Sequence, residues 1–253
     1  MLARSILVIC AASSAALADH AHTPARGEHA HELAASLSLV AAQFDTLLFD
    51  GDYQGVIPAA RFTHGRFSVA ASAPLYRIEE NGLTTHGLGD IVAHVDVIAW
   101  RDDALAVGGE LAASAPTGDE RFGLGMGHPM VMPAVWGRYR TGRLAFAGSL
   151  GASLGLADSG HHHEDMMWPL VDPANGSEVT WAARGDVAVA PAWRVGAGFG
   201  GGVPVGANGV TRVIGGARAM WVSPRLETGV ELQAGIAGDP FTLRGVAQTT
   251  LLF

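Results

Sequence analysis

The chain contains no lysine, has a single cysteine at position 10, and has no apolar run of about 20 residues, the length that a transmembrane helix needs. A single thiol excludes an intrachain disulfide. All 16 basic residues are arginine, and the net charge of −8 argues against nucleic acid as a partner, because nucleic-acid-binding proteins carry a basic surface. Apolar residues make up 49% of the chain, which also has 34 glycines and no helical period, so we expect a sheet rather than packed helices.

The first residues have the pattern of an export signal. Arg4 precedes a short apolar run, and Ala16-Leu17-Ala18 matches the small-x-small pattern of a cleavage site. The sequence therefore predicts a signal peptide over 1–18, whose removal would also remove the only thiol. Residues 19–32 form a polar, histidine-rich leader that we expect to be flexible and periplasmic, and 33–253 form the folded part.

Beyond the leader, apolar and polar residues alternate with a period of two, which is typical of strands with unlike faces. On 225–236, for example, Leu226 and Leu232 alternate with Glu227 and Glu231. Twelve strands are predicted, at 34–44, 53–63, 66–76, 89–100, 104–116, 129–140, 143–156, 178–190, 193–203, 209–222, 225–236 and 241–253. Short and longer connections alternate between them, the longer ones being 45–52, 77–88, 117–128, 157–177, 204–208 and 237–240.

This pattern predicts an all-β fold: a closed antiparallel transmembrane β-barrel of about 12 strands in a bacterial outer membrane, with short periplasmic turns and longer extracellular loops. The last strand places Phe241 and Leu243 on its apolar face, and its end at Phe253 resembles the end of outer-membrane barrels. A soluble sandwich or lipocalin-like barrel is the alternative, because its strands alternate in the same way with the apolar face turned inward. The export signal and the alternating connections favour the membrane barrel.

The polar face of the predicted strands carries charges of both signs. If this face lines the barrel interior, its members are Arg61, His94, Asp96, Glu110, Arg138, Arg184, Asp186, Arg194, Arg212, Arg218, Arg225, Glu227, Glu231 and Arg244. The first interpretation is a set of cross-strand ion pairs that stabilises the wall. The alternative is a polar channel lining with an excess of arginine, which would favour anionic or polar solutes.

Two segments carry a family resemblance. A Pro-Leu-Tyr sequence at Pro74 is followed by Gly-Leu-Gly-Asp from Gly87 to Asp90, and a Pro-Thr-Gly-Asp turn spans Pro116 to Asp119. In these features the chain resembles the outer-membrane proteins grouped with the meta-pathway phenol-degradation transporters. The resemblance implies an outer-membrane channel for small, often hydrophobic, organic compounds, and it supplies no catalytic residues.

Two further motifs look catalytic or nucleotide-binding. Gly151 to Gly155 matches G-x-S-x-G, and Gly196 to Gly201 matches G-x-G-x-x-G. Both motifs need a helix directly after them, and both lie instead in alternating, glycine-rich sequence. We therefore predict that the protein is not an enzyme.

Histidines and methionines form the remaining chemical signal. The leader contains one group and the longest loop another, with a third at the neighbouring connection; the candidates are His20, His22, His29, His31, His161, His162, His163, Met126, His128 and Met130. Imidazole suits Cu and Zn, and thioether favours Cu(I). The alternative is that these segments are only polar and solvated, since no fixed four-ligand spacing is present.

Two functions follow from these observations. The first is a passive outer-membrane channel for small aromatic or hydrophobic solutes, with no required cofactor. The second is a metal-handling outer-membrane protein that binds Cu or Zn through the histidine-rich segments. The expected partners are outer-membrane lipid, the barrel assembly machinery and a small-molecule solute, and the sequence leaves the oligomeric state open.

Overall fold

The structure is a computed structural model, and it describes residues 31–45, 50–156, 177–206, 209–238 and 241–253. These residues are mostly strand, with one 3₁₀ turn at Glu120–Phe122. The strands are β1 His31–Asp45, β2 Asp50–His64, β3 Phe67–Ser72, β4 Leu75–Glu80, β5 Leu83–Leu88, β6 Ile91–Arg101, β7 Leu105–Ala115, β8 Met130–Thr141, β9 Leu144–Gly155, β10 Ser177–Ala190, β11 Trp193–Pro204, β12 Arg212–Val222, β13 Leu226–Ala237 and β14 Phe241–Leu252. Within the described ranges, no helix has the length and apolar character needed to cross a membrane.

The strands close into an antiparallel barrel because β1 pairs with both β2 and β14. β3 and β4 pair with successive halves of β2 and act as one barrel strand, interrupted at Pro74, which has no N–H for the ladder. β5 and β6 form a second composite strand, interrupted at Gly89 and Asp90. The wall therefore has twelve strands, as predicted from the alternation.

The two ends of the barrel differ in their connections. At one end, here called the turn end, the strands are joined by two or three residues, at 65–66, 102–104, 142–143, 191–192 and 223–225. The other end, the loop end, carries the remaining connections. One of these was predicted wrongly: 77–88 is not a loop but the β4–β5 hairpin, closed by Asn81 and Gly82 with φ of 49° and 80°. Asn-Gly is the preferred pair for such a turn, so this dipeptide was the missed signal.

The outward face of the wall is apolar and the inward face is polar. Leu150, Phe199 and Leu232 are 57%, 57% and 61% exposed, whereas Asp96 and Arg244 are 2% and 4% exposed. A soluble barrel has the opposite arrangement, because its apolar residues fill the interior. The distribution is that of a barrel surrounded by lipid.

Aromatic side chains gather on the outward surface near the turn end. Phe67, Trp100, Tyr139, Trp193 and Phe253 are each about half exposed or more, and all lie within a few residues of a turn or of the end of β14. Such rings at the edge of an apolar band are typical of the membrane–water interface.

One aromatic residue lies on the face opposite to its prediction. The β1–β14 ladder has an irregularity at which Phe44 pairs with Phe241 while Gln43 pairs with Leu243, so Thr242 is left out of register. Phe241 is consequently inward and fully buried, whereas Leu243 stays outward. The alternation placed both residues on one face because a regular period of two does not include the extra residue that a β-bulge inserts.

Candidate functional site

The interior of the barrel contains an apolar cluster near the loop end. Its members come from β1, β2, β4, β12 and β14 and from the segment after β7, and they are Val40, Ala42, Phe44, Tyr53, Ile78, Leu124, Ile214 and Phe241. None of these side chains is charged. The apolar cluster therefore covers one side of the interior at the loop end, and the buried Arg212–Glu178 pair lies at the loop end of β12 and β10.

Aromatic rings form the centre of the apolar cluster. The Tyr53 ring lies 5.0 Å from Phe241 at 63° and 5.8 Å from Tyr76 at 82°, and Phe44 lies 6.5 Å from Phe241 at 61°. These are edge-to-face arrangements, which aromatic pairs favour over a face-to-face sandwich. The rings hold one another in defined orientations within the interior.

Leu124 reaches the apolar cluster from outside the strand ladder. Among the described strands β5 pairs only with β4, and β7 ends at Ala115 opposite Ile91, so the segment after β7 lies beside β5. A Cβ atom on Gly87 would be 2.5 Å from Leu124 Cδ1, so the glycine leaves the space that the leucine occupies.

Asp90 anchors this segment to the interrupted strand. Its Oδ1 accepts a hydrogen bond from Gly118 N at 2.9 Å and its Oδ2 accepts one from Met126 N at 2.8 Å. Thr117 Oγ1 donates to Gly89 O at 2.7 Å. The strand break thus supplies the carboxylate and the carbonyl that fix residues 117–126 against the wall.

The 3₁₀ turn within the segment has its own cap. Asp119 accepts a hydrogen bond from Arg121 N, and Arg121 Nε donates to the same carboxylate at 3.0 Å. The Arg121 side chain therefore holds the pKa of the exposed Asp119 carboxyl below its ordinary value.

A group of ion pairs occupies the interior on the side of β10 to β12. Arg212 pairs with Glu178, and Arg218 donates Nε to Asp186 Oδ1 at 2.8 Å and Nη2 to Oδ2 at 2.7 Å. Arg184 Nε lies 3.6 Å from the same carboxylate. Both arginine–carboxylate pairs connect β12 with β10 and pass over the strand between them.

The intervening strand, β11, permits these pairs because it presents glycines inward. A Cβ on Gly196 would lie 2.1 Å from Asp186 Oδ1, and a Cβ on Gly202 would lie 2.4 Å from Glu178 Oε2. Within the G-x-G-x-x-G match, Gly196 therefore clears space for an ion pair, and the motif lies inside β11 with no helix after it.

Three further polar contacts lie in the charged interior. Arg244 Nε donates to Gln233 Oε1 at 2.7 Å, and Gln233 Nε2 donates to Glu231 Oε1 at 2.6 Å. Near the turn end, Arg61 Nη2 lies 3.4 Å from Glu32 Oε1. Glu32 and Glu178 were missing from the sequence-based set, although the alternation extends to both.

The structure places thirteen of the fourteen predicted interior residues on strands with inward, buried or half-buried side chains; these are Arg61, His94, Asp96, Glu110, Arg138, Arg184, Asp186, Arg194, Arg212, Arg218, Glu227, Glu231 and Arg244. Arg225 is the exception, because it lies exposed in the turn before β13. The prediction began the strand at Arg225, one residue before β13 begins at Leu226. Arg61, Arg212 and Arg218 each pair with a carboxylate of the wall. These ion pairs favour a stabilising role for the charged face over an arginine-rich channel lining.

The predicted metal ligands fall mostly outside the described residues, namely His20, His22, His29, His161, His162 and His163. His31 is exposed at the start of β1, His128 and Met130 are buried, and Met126 is half-buried. In the described part of the chain, no group of three or more His, Cys, Asp or Glu side chains has the arrangement of a metal site. Ser153 of the G-x-S-x-G match lies within β9, not in a strand–helix turn.

Comparison with solved structures identifies the fold. An outer membrane channel from Pseudomonas putida F1 matches with a TM-score of 0.68 at 12% identity, over 92% of this chain and 100% of that one. The translocator domain of the autotransporter NalP from Neisseria meningitidis matches with 0.56 at 11% identity, over 95% and 92%. The KdgM porin matches with 0.54 at 8% identity, over 86% and 98%. No protein-family model matches the chain, and no curated protein sequence is significantly similar to it.

Proposed function

We propose that the protein is an outer-membrane channel for small hydrophobic solutes. The observation that carries the proposal is the cluster of aromatic rings formed by Tyr53, Phe44 and Phe241 on the interior face of β2, β1 and β14. The fold alone is shared by channels and by an autotransporter translocator domain, so the solute class is argued from this interior.

The apolar cluster discriminates between solutes by hydration. A polar or ionic solute that lies against the cluster gives up water at this face without receiving a charged partner from it, which costs free energy. An aromatic solute instead leaves water and gains edge-to-face contacts with the rings. Apolar constrictions in channels exclude water and ions on the same principle.

The charged part of the interior supports the same conclusion. Arg212 and Arg218 are occupied by Glu178 and Asp186, so these guanidinium groups are already neutralised by the wall. A lining that attracted anions would keep its arginines accessible to the solute. The ion pairs therefore act mainly on the stability and shape of the wall.

Orientation is part of the proposal. The loop end faces the exterior and the turn end faces the periplasm, as in outer-membrane barrels generally. The outward aromatic residues at the turn end, including Trp100 and Trp193, then lie at the periplasmic interface. The apolar cluster, at the loop end, then lies toward the exterior.

Uptake by whole cells tests the proposal. The protein is expressed in a Gram-negative host with an intact lipopolysaccharide layer, and the uptake of radiolabelled naphthalene and arabinose is compared with that of cells carrying an empty vector. We expect faster uptake of naphthalene and unchanged uptake of arabinose. Faster arabinose uptake with unchanged naphthalene uptake would show a hydrophilic pore and exclude this function.

A further inference from the structure

Two histidines meet at the turn end of the barrel wall. His31 is the first residue of β1, His64 is the last residue of β2, and the two are direct cross-strand partners. Both side chains are exposed on the outward face of the wall. Sequence reasoning included His31 among the metal candidates but not His64, because 33 positions separate them.

The two imidazole rings are held with one nitrogen of each directed at the other. The Nδ1 atoms are 3.0 Å apart, the ring centroids are 4.4 Å apart, and the planes differ by 20°. The Phe62 ring stacks on His31 with centroids 5.9 Å apart. Strand pairing and this aromatic contact fix the rings before any ligand arrives.

The two Nδ1 atoms of neutral imidazoles at this separation can either share a hydrogen bond or bind one metal ion together. In one, the Nδ1–H of one ring donates to the Nδ1 of the other. In the other, both rings carry their proton on Nε2, and both Nδ1 lone pairs are available to a metal ion. Because Nε2 is the alternative proton position of a neutral imidazole, this change releases no net proton.

The separation of the nitrogens selects the metal. With metal–nitrogen bonds of about 2.05 Å, two donors that are 3.0 Å apart subtend about 94° at the ion. That angle is close to the right angle of tetragonal coordination, which Cu²⁺ favours, and smaller than the tetrahedral angle preferred by Zn²⁺. Cu²⁺ also binds nitrogen ligands more strongly than the other divalent ions of the first transition row.

We propose that His31 and His64 form a two-imidazole binding site for Cu²⁺ on the outward rim of the turn end. Water completes the coordination. The site is distinct from the proposed solute path, because its side chains lie outside the wall and the apolar cluster lies inside at the loop end. The proposed site lies on the barrel wall itself, whereas most of the histidines that the sequence suggested as metal ligands lie outside the described residues.

Calorimetric titration of the purified, folded barrel with CuSO₄ tests the site. The His64→Ala variant keeps every histidine of the leader and of the longest loop, so it separates the proposed pair from those segments. We expect Cu²⁺ binding to weaken by more than about tenfold in His64→Ala and in His31→Ala, since the loss of even an outer-shell partner of a metal site commonly costs that much. His86→Ala removes an exposed histidine of β5 and should leave binding unchanged.

A second comparison accounts for the leader. The triple variant His20→Ala, His22→Ala, His29→Ala should keep the site, with Cu²⁺ still bound more tightly than Zn²⁺. If His64→Ala binds Cu²⁺ as the unmodified protein does, or if the unmodified protein binds none, the proposal is wrong.

Electron paramagnetic resonance gives a second readout, taken on Cu²⁺-loaded protein in which His20, His22, His29, His161, His162 and His163 are replaced by Ala, so that these histidines contribute no nitrogen coupling. Two nitrogen couplings are expected from the pair. A spectrum with oxygen ligands alone would also overturn the proposal, even if His64→Ala failed to fold.

Discussion

Arg218 on β12 and Asp186 on β10 form a bidentate ion pair across β11, with N–O distances of 2.8 and 2.7 Å. Both side chains are buried, and the inward Gly196 of β11 lies beneath them. The ion pair therefore links β10 directly to β12, in addition to the backbone hydrogen bonds that each of them makes with β11. The pairing depends on three positions at once, which makes its energetic role testable.

Breaking this pair from one side should destabilise the barrel. Asp186→Asn leaves the Arg218 guanidinium buried without its carboxylate, and we expect a loss of about 3 kcal/mol in the free energy of unfolding. The double variant Asp186→Leu, Arg218→Met removes both charges and should be closer to the unmodified protein. Urea unfolding followed by tryptophan fluorescence measures both, and equal losses in the two variants would contradict the prediction.

The glycine beneath the pair should resist substitution. In Gly196→Ala the new Cβ would be 2.1 Å from Asp186 Oδ1 and 2.6 Å from Gly185 O, so the pair or the strand must shift. We expect a loss of about 1–3 kcal/mol, the usual cost of overpacking. Gly109→Ala is the matched control, because its nearest neighbour would be 3.6 Å away. The same urea titration checks both, and equal effects would show that strand glycine alone, not the ion pair, sets the cost.

Phe241 and Thr242 provide adjacent positions with opposite environments. Phe241→Asp introduces a carboxylate into the apolar cluster, and we expect uptake of naphthalene by whole cells to fall toward the empty-vector rate. Thr242→Asp adds the same charge at an exposed site and should leave uptake unchanged. The amount of folded barrel in the outer membrane is measured for each variant, so that uptake is compared per molecule. A normal rate in Phe241→Asp would contradict a role of the cluster in solute passage.

Asp90 should control the segment that carries Leu124. In Asp90→Ala, the hydrogen bonds to Gly118 N and Met126 N are lost, so the segment should detach more often. Arg121 is well exposed within it, and we expect faster trypsin cleavage after this residue together with a higher ion conductance in planar bilayers. Asp119→Ala removes the cap of the 3₁₀ turn and the ion pair with Arg121 but keeps both Asp90 hydrogen bonds, so it serves as the control for conductance. Unchanged conductance in Asp90→Ala would show that Leu124 does not restrict the interior.

The orientation of the barrel can be determined with two tags. A short epitope inserted between Asn81 and Gly82 lies at the tip of the β4–β5 hairpin, at the loop end. We expect antibody binding to this tag on intact cells, because longer loops face outward in such barrels. The same epitope at Gly142, in a turn-end connection, should bind only after permeabilisation. The reverse pattern would invert the proposed topology.

The sequence alone was sufficient for the strand number and for most side-chain directions. Its alternation predicted the twelve-stranded wall and placed Asp96, Arg218 and Arg244 on the polar face of their strands, because successive side chains of a pleated strand point to opposite faces. It failed where the backbone departs from that period, at the bulge that turns Phe241 inward and at the turn that exposes Arg225.

The tertiary structure decided which face is inside and which residues meet. The period of two is identical in a soluble barrel and in a membrane barrel, and only closure of the sheet with Leu232 outward and Arg244 inward separates them. Partners that are distant in sequence, such as Arg218 with Asp186 and His31 with His64, depend on strand register and on the space above Gly196. Those quantities arise from pairing between strands, and no local pattern within one strand encodes them.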